Sequence, residues 1–253
     1  MTNTCFTPFI SVIDSSIIPS FLNNPYDSEI PAICKVAVGE LEDFLLENQS
    51  HWKHNFGLDP QNQTSAKGKM FGVLVVRNSN GELGFLSTFS GKVADEPHHP
   101  RFVPSLFEIS TDDFFINKGM AELTAMGDQI KLLDDALKIE RLKELRRTKS
   151  VELQQQLFDH YHFLNEKLES KSLCSIFEDL IHKKPPAGAG ECATPKLLQY
   201  AFKHQMKPLA VAEFWWGKAS KSGDRQHKQF YPPCRDKCYP ILRYMLDNVS
   251  GTY

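Results

Sequence analysis

The stretch GAGECATPKLLQYAF, Gly188 to Phe202, decides how the chain is read. Gly188 and Gly190 permit a close backbone approach. After Glu191, the residues Ala193, Leu197, Leu198 and Ala201 recur at helical spacing, so Cys192 falls at the first turn of an amphipathic helix. The following run, MKPLAVAEFWWG (Met206–Gly217), has the length and apolar, aromatic character of a strand ending at a glycine. Beyond a polar loop, YPPCRDKCYPIL (Tyr231–Leu242) predicts a second helix opening near Pro233, with Cys234 and Cys238 four apart on one face. Three of the six cysteines thus stand at two helix starts separated by one strand.

Working outward, AICKVAVGELEDFLLE (Ala32–Glu47) carries Ile33, Val36, Ala37, Leu41, Phe44 and Leu45 at helical spacing and predicts an amphipathic helix that covers a sheet. The segment Lys69–Val93 holds two β-rich runs around Asn78-Ser79-Asn80-Gly81, a turn whose Asn and Gly tolerate positive φ, and it predicts a hairpin. Prolines 8, 19, 25 and 31 make residues 1–30 an extended segment that wraps the surface. Residues 112–169 mix charges of both signs with Leu133, Leu137, Leu142, Leu145, Leu153 and Leu157 at roughly helical intervals, which predicts a projecting helix or helical hairpin. The expected organisation is an α/β fold with a central sheet between helical layers. Residues 1–111 supply the wrap, helix and hairpin, 112–170 the arm, and 171–253 the cysteine helices.

Composition limits the function. With 253 residues, 41% hydrophobic and 24% charged, the chain can bury a sizeable core. A net charge of -2 argues against nucleic-acid binding by overall electrostatics. No apolar run approaches a membrane span and no leader pattern opens the sequence, so a cytoplasmic protein without membrane contact is expected. Cys5, Cys34 and Cys174 stand singly and read as small buried hydrophobes.

Helix N-termini lower thiol pKa values, and three thiolates from adjacent helix starts can hold one zinc ion. Cys192, Cys234 and Cys238 therefore form a candidate site, with His227 as the fourth ligand that would close it into a structural centre. Three reduced packing thiols and a redox pair are the alternatives. The arrangement resembles that of the zinc-dependent nucleobase deaminases, which place a His or Cys on one helix start, P-C-x-x-C on the next and a glutamate nearby as proton shuttle. Here the second element is P-C-x-x-x-C, and Thr194 occupies the place of the glutamate two residues after the first ligand. Glu191 and Glu213 are the candidate catalytic carboxylates. Lys218, Lys221, Arg225, Lys228, Arg235 and Lys237 form the candidate basic patch for RNA phosphates. His98 and His99 read as part of a polar loop, and of Trp215 and Trp216 at least one is expected in the core.

A closer likeness rests on GKMFGVLVV, ELGFLSTFSGK, HHPRFVPSLFE, QQQLFDHYHFLNE, PPAGAGECATPKLLQYAF, KPLAVAEFWWG and FYPPCRDKCYPILRYML. Together they resemble the N-terminal extension of one subgroup of RluA-type RNA pseudouridine synthases, across nearly the whole chain. In that subgroup a catalytic domain follows, with its nucleophilic aspartate in an R-L-D motif that this sequence lacks. The resemblance implies a non-catalytic accessory module that positions RNA or an RNA-modifying enzyme domain, with self-association through the arm as a further expectation. The alternative is a zinc-dependent deaminase-like hydrolase acting on a base or nucleoside.

Overall fold

The computed structural model describes residues 5–48, 54–59, 67–91, 101–106 and 114–249. His98 and His99 lie outside these residues. A four-stranded antiparallel sheet runs β1-β3-β2-β6, where β1 is Thr7–Pro8, β2 Lys69–Arg77, β3 Leu83–Phe89 and β6 Lys207–Trp216. The hairpin and the strand after the first cysteine helix therefore share one sheet, as the burial of their apolar runs requires. The two faces are covered by different helices. Phe71, Val73, Val75, Phe214 and Trp216 pack with Ile33, Ala37 and Leu41 of α1 (Ala32–Glu47). Leu74, Val76, Leu86 and Val211 pack on the other face with Leu197, Leu198 and Ala201 of α5 (Ala193–Lys203) and Ile241 and Leu242 of α6 (Cys238–Met245). The strict alternation of partners along β2 explains its continuous apolar run, because both of its sides are buried.

The N-terminal segment touches both edges of the sheet. Thr7 and Pro8 pair with Phe85 and Gly84, and a proline costs nothing on the open side of such an edge. At the opposite edge the Asn23 side chain brackets Val211: it accepts from the Val211 N–H at 2.8 Å and donates to its carbonyl at 3.2 Å. Lys228 and Gln229 then pair with Trp215, and the Tyr231 N–H donates to the Glu213 carbonyl at 3.0 Å. The edge strand is thereby closed to further pairing.

The charged segment forms two helices, α2 (Phe114–Leu132) and α3 (Ala136–Asp159), packed on each other. Asp135 caps α3 by accepting from the Leu137 and Lys138 N–H groups. The expectation that residues 160–169 belong to this arm is corrected. The chain leaves the helix at His160, and β4 (His162–Leu164) pairs with β5 (Ser170–Ser172). Phe158, Tyr161 and Phe163 are buried in the main core, which ends the solvated helix there. A further helix, α4 (Leu173–Ile181), follows and packs on α6.

The second cysteine helix also starts later than its sequence suggests. Residues 235–237 form a turn, and α6 begins at Cys238. Pro240 is the reason: it has no N–H for the carbonyl one turn back, so regular helix is tolerated only with this proline in the first turn. The Cys238 N–H still reaches the Cys234 carbonyl at 3.3 Å, which keeps the two side chains on one side.

Candidate metal centre

The chain runs down α5, back along β6 and down α6, so both helices start at the end of the sheet where β6 finishes. Cys192 is the N-cap residue of α5, and its thiol makes no capping hydrogen bond. Two glycines allow this placement. A Cβ on Gly190, whose φ is +93°, would lie 2.7 Å from the Tyr161 ring. A Cβ on Gly72 would lie 2.9 Å from the Ala193 Cβ, so the bare strand lets the first turn of α5 settle onto the sheet.

There the sulfurs of Cys192, Cys234 and Cys238 lie within 4.8 Å of one another, the one such convergence of three or more potential ligands among the described residues. Cys234 and Cys238 are 3.5 Å apart, sulfur to sulfur. Ligands about 2.3 Å from a tetrahedral ion stand roughly 3.8 Å apart, so a small contraction fits the trio to a single divalent ion. All six cysteines are free thiols. Within the trio, hydrogen bonding with Cys192 and Cys238 holds Cys234 well below the ordinary thiol range. Cys192 is pushed up mainly by its hydrogen bond to Cys234, and Cys238 by those to Cys192 and Cys234. A cation would replace protons that this trio already shares. Cys238 is buried, while Cys192 and Cys234 are partly open to solvent.

His227 does not complete the set. Its Nδ1 accepts from the Gly217 N–H at 3.0 Å, and its ring lies 4.6 Å from that of Trp216. Trp216 belongs to the α1 side of the sheet and the cysteines to the other. The expected fourth ligand is therefore corrected: pairing of residues 228 and 229 with Trp215 pins His227 at the strand tip, facing away from the thiols.

Glu213 takes the place beside the trio. It points from β6 toward α5, 4% exposed, and its Oε1 accepts from the Thr194 N–H at 2.9 Å and from the Thr194 hydroxyl at 2.6 Å. Burial pushes its carboxyl up to about 7 against the pull of these two bonds. The residue two places after the first cysteine thus carries a carboxylate by hydrogen bond in place of its own side chain. Glu191 is directed elsewhere, accepting from the Tyr161 and Ser105 hydroxyls.

Tyr26 reaches the centre from the N-terminal wrap. Its hydroxyl donates to the Cys234 carbonyl at 3.3 Å, its ring packs on Tyr239, and Arg235 lies over it at 5.3 Å. The six basic residues do not behave as one group. Lys228 pairs with Glu42 of α1 at 2.7 Å, Arg225 stacks on Tyr231, and Lys237 lies against Gly188, while Lys218 and Lys221 are exposed. Trp216 is core, and the half-buried Trp215 donates its indole N–H to the Lys218 carbonyl. Sequence reasoning missed Lys196, Tyr26, Tyr161 and Ser105. Only Lys196 carried a signal, standing one helical turn after Cys192.

No protein-family model matches the chain, and no curated protein or solved structure matches it either.

Proposed function

We propose that Cys192, Cys234 and Cys238 hold a zinc ion and that the chain is a deaminase-like hydrolase acting on a nucleobase or nucleoside. The observation that carries this reading is the carboxylate of Glu213 fastened to Thr194, beside three convergent thiols. A helix on each side of the sheet and a first ligand at a helix start agree with the deaminase arrangement. When bound, the ion supplies the Lewis acidity that makes water nucleophilic at neutral pH.

The chain's own part is proton handling and orientation. A buried carboxyl poised near 7 can accept a proton from the nucleophile and return it to a leaving amine. Thr194 fixes one carboxylate oxygen through two hydrogen bonds and so sets the orientation of the group. Tyr26 and Arg235 line the Cys234 side of the centre. Cys192, Cys234 and Cys238 would hold the ion, and among the described residues His227 is turned away from them, so a bound ion would keep a position for water or substrate, as catalytic zinc sites do.

The test is metal analysis of protein purified without added zinc, followed by an ammonium-release assay over free bases, nucleosides and single-stranded RNA. Release that Glu213→Gln abolishes while the metal content stays unchanged supports the proposal. A metal-loaded protein that releases no ammonium from any of them, yet binds RNA, returns the chain to the second reading. That reading, an RNA-positioning module of an RluA-type synthase, draws on the helical hairpin α2–α3, which is exposed over most of its length and buries Ile116, Leu123, Met126 and Phe158.

A further inference from the structure

Lys196 is among the largest fully enclosed side chains of the protein, with 2% of its surface exposed. It stands four residues after Cys192, one turn along the same face of α5. Its Nζ donates to the Phe89 carbonyl at 2.6 Å, at the end of β3, and lies 5.5 Å from the Phe89 ring centroid. Among the described residues no carboxylate stands within ion-pair distance of it. An ammonium buried with a single carbonyl acceptor is costly unless negative charge is close by. Burial pulls its amine below the ordinary lysine range; the charges of Glu191, Cys192 and Glu213 work against that pull, and Lys69 on β2 adds to it. Glu191 is already held by Tyr161 and Ser105, and Glu213 by Thr194.

We infer that Lys196 is the counter-charge of the tricysteine centre, a positioning residue that keeps the metal-loaded site electrically balanced and ties it to the end of β3. Loading a divalent cation on three cysteines releases their remaining protons to solvent and leaves three thiolates and one ion, a net single negative charge. One buried ammonium cancels that charge. Without it, ionising the last thiols in a partly desolvated site opposes metal uptake. This inference rests on the metal reading of the site, and it extends that reading to a residue that touches neither metal nor substrate.

The experiment is a Co2+ titration at one pH near neutrality against a competing chelator, followed by the thiolate-to-metal charge-transfer band. It compares the wild type with Lys196→Met, Lys196→Gln and Lys196→Arg. Met removes charge and donor, Gln removes the charge and keeps a donor for Phe89, and Arg keeps the charge. The expected result is that Met and Gln both weaken Co2+ binding by about tenfold or more, the scale of one unit-charge interaction at an effective dielectric of about 20, and that Arg restores it. Gln binding as tightly as the wild type would mean that the amine acts only through its hydrogen bond, and the inference would be wrong. No charge-transfer band in the wild type would sink the metal reading itself, a distinguishable outcome. Should the variants fold poorly, 15N NMR of the wild-type Lys196 side chain decides: an ammonium signal is expected in the zinc-loaded protein, and a neutral amine there overturns the proposal.

Discussion

Replacing Glu213 by Gln in metal-free, reduced protein should remove a pH dependence of stability that its burial creates. The carboxyl ordinarily titrates at 4.5, and in the fold it is pushed to about 7. The folded state therefore holds the proton more tightly than the unfolded chain does. The stability tied to this proton is fully present below pH 4.5 and is lost as pH rises through about 7. The interval corresponds to about 3 kcal/mol at roughly 1.36 kcal/mol per pH unit. Gln keeps an oxygen acceptor for both Thr194 donors and cannot ionise. Guanidinium unfolding at a series of pH values should show the wild type losing about 3 kcal/mol relative to the variant between those limits, with a constant difference above them. For a chain of this size that is about 10 °C in melting temperature. Parallel stability curves for the two proteins would refute the buried, desolvated carboxyl, and with it the proton-shuttle role.

Cys234→Ser should abolish zinc retention and, in zinc-containing buffer, lower stability by about 4 kcal/mol if free zinc stands roughly a thousandfold above the wild-type Kd, as metal analysis and thermal unfolding would read. His227→Ala should leave zinc content unchanged, because its ring packs on Trp216 across the sheet; loss of metal in this variant would restore His227 as a ligand. Gly72→Val should cost about 1–3 kcal/mol and weaken zinc binding, since its side chain drives Ala193 and the helix start off the strand. Tyr161→Phe, which strips Glu191 of one of its two hydroxyl donors, should cost about 1–3 kcal/mol in unfolding experiments while zinc stoichiometry holds.

The sheet was legible in the sequence because its signals are local. The Asn78–Gly81 turn fixes the hairpin, and the apolar run ending at Trp216 has nowhere to be buried except beside it. The convergence of Cys192, Cys234 and Cys238 followed from the same order of elements, since helix, strand and helix return both helix starts to one end. What sequence could not supply was the face on which a loop residue lands. His227 lies seven residues before Cys234, a natural distance for a ligand, yet pairing at the β6 edge turns it to the α1 side. Glu213 shows the converse. In the sequence it stands level with Glu191 as a candidate carboxylate, and only the register against Gly72, which leaves room above the strand for α5, makes Glu213 the partner of Thr194 while Glu191 is taken by Tyr161 and Ser105. The start of α6 lies later than Pro233 alone suggests, because Pro240 sets the stricter condition.

The position of the helical hairpin in the chain explains why it need not disturb the centre. Between the end of β3 at Phe89 and the start of α5 at Ala193, the chain makes α2, α3, β4, β5 and α4 before returning to the sheet. Long excursions cost little closure entropy when their ends are fixed close together. Here the ends are fixed at one carboxylate: Ser105 lies before α2, Tyr161 directly after α3, and both donate to Glu191, the neighbour of Cys192. The Gly91 N–H adds a bond from the end of β3 to the Glu191 carbonyl at 3.0 Å. Length and surface of the hairpin can therefore change without moving the helix start that carries the first thiol, whereas loss of the Glu191 carboxylate would loosen both. The first ligand is held from three separate parts of the chain, and its position depends on that junction more than on the hairpin beyond it.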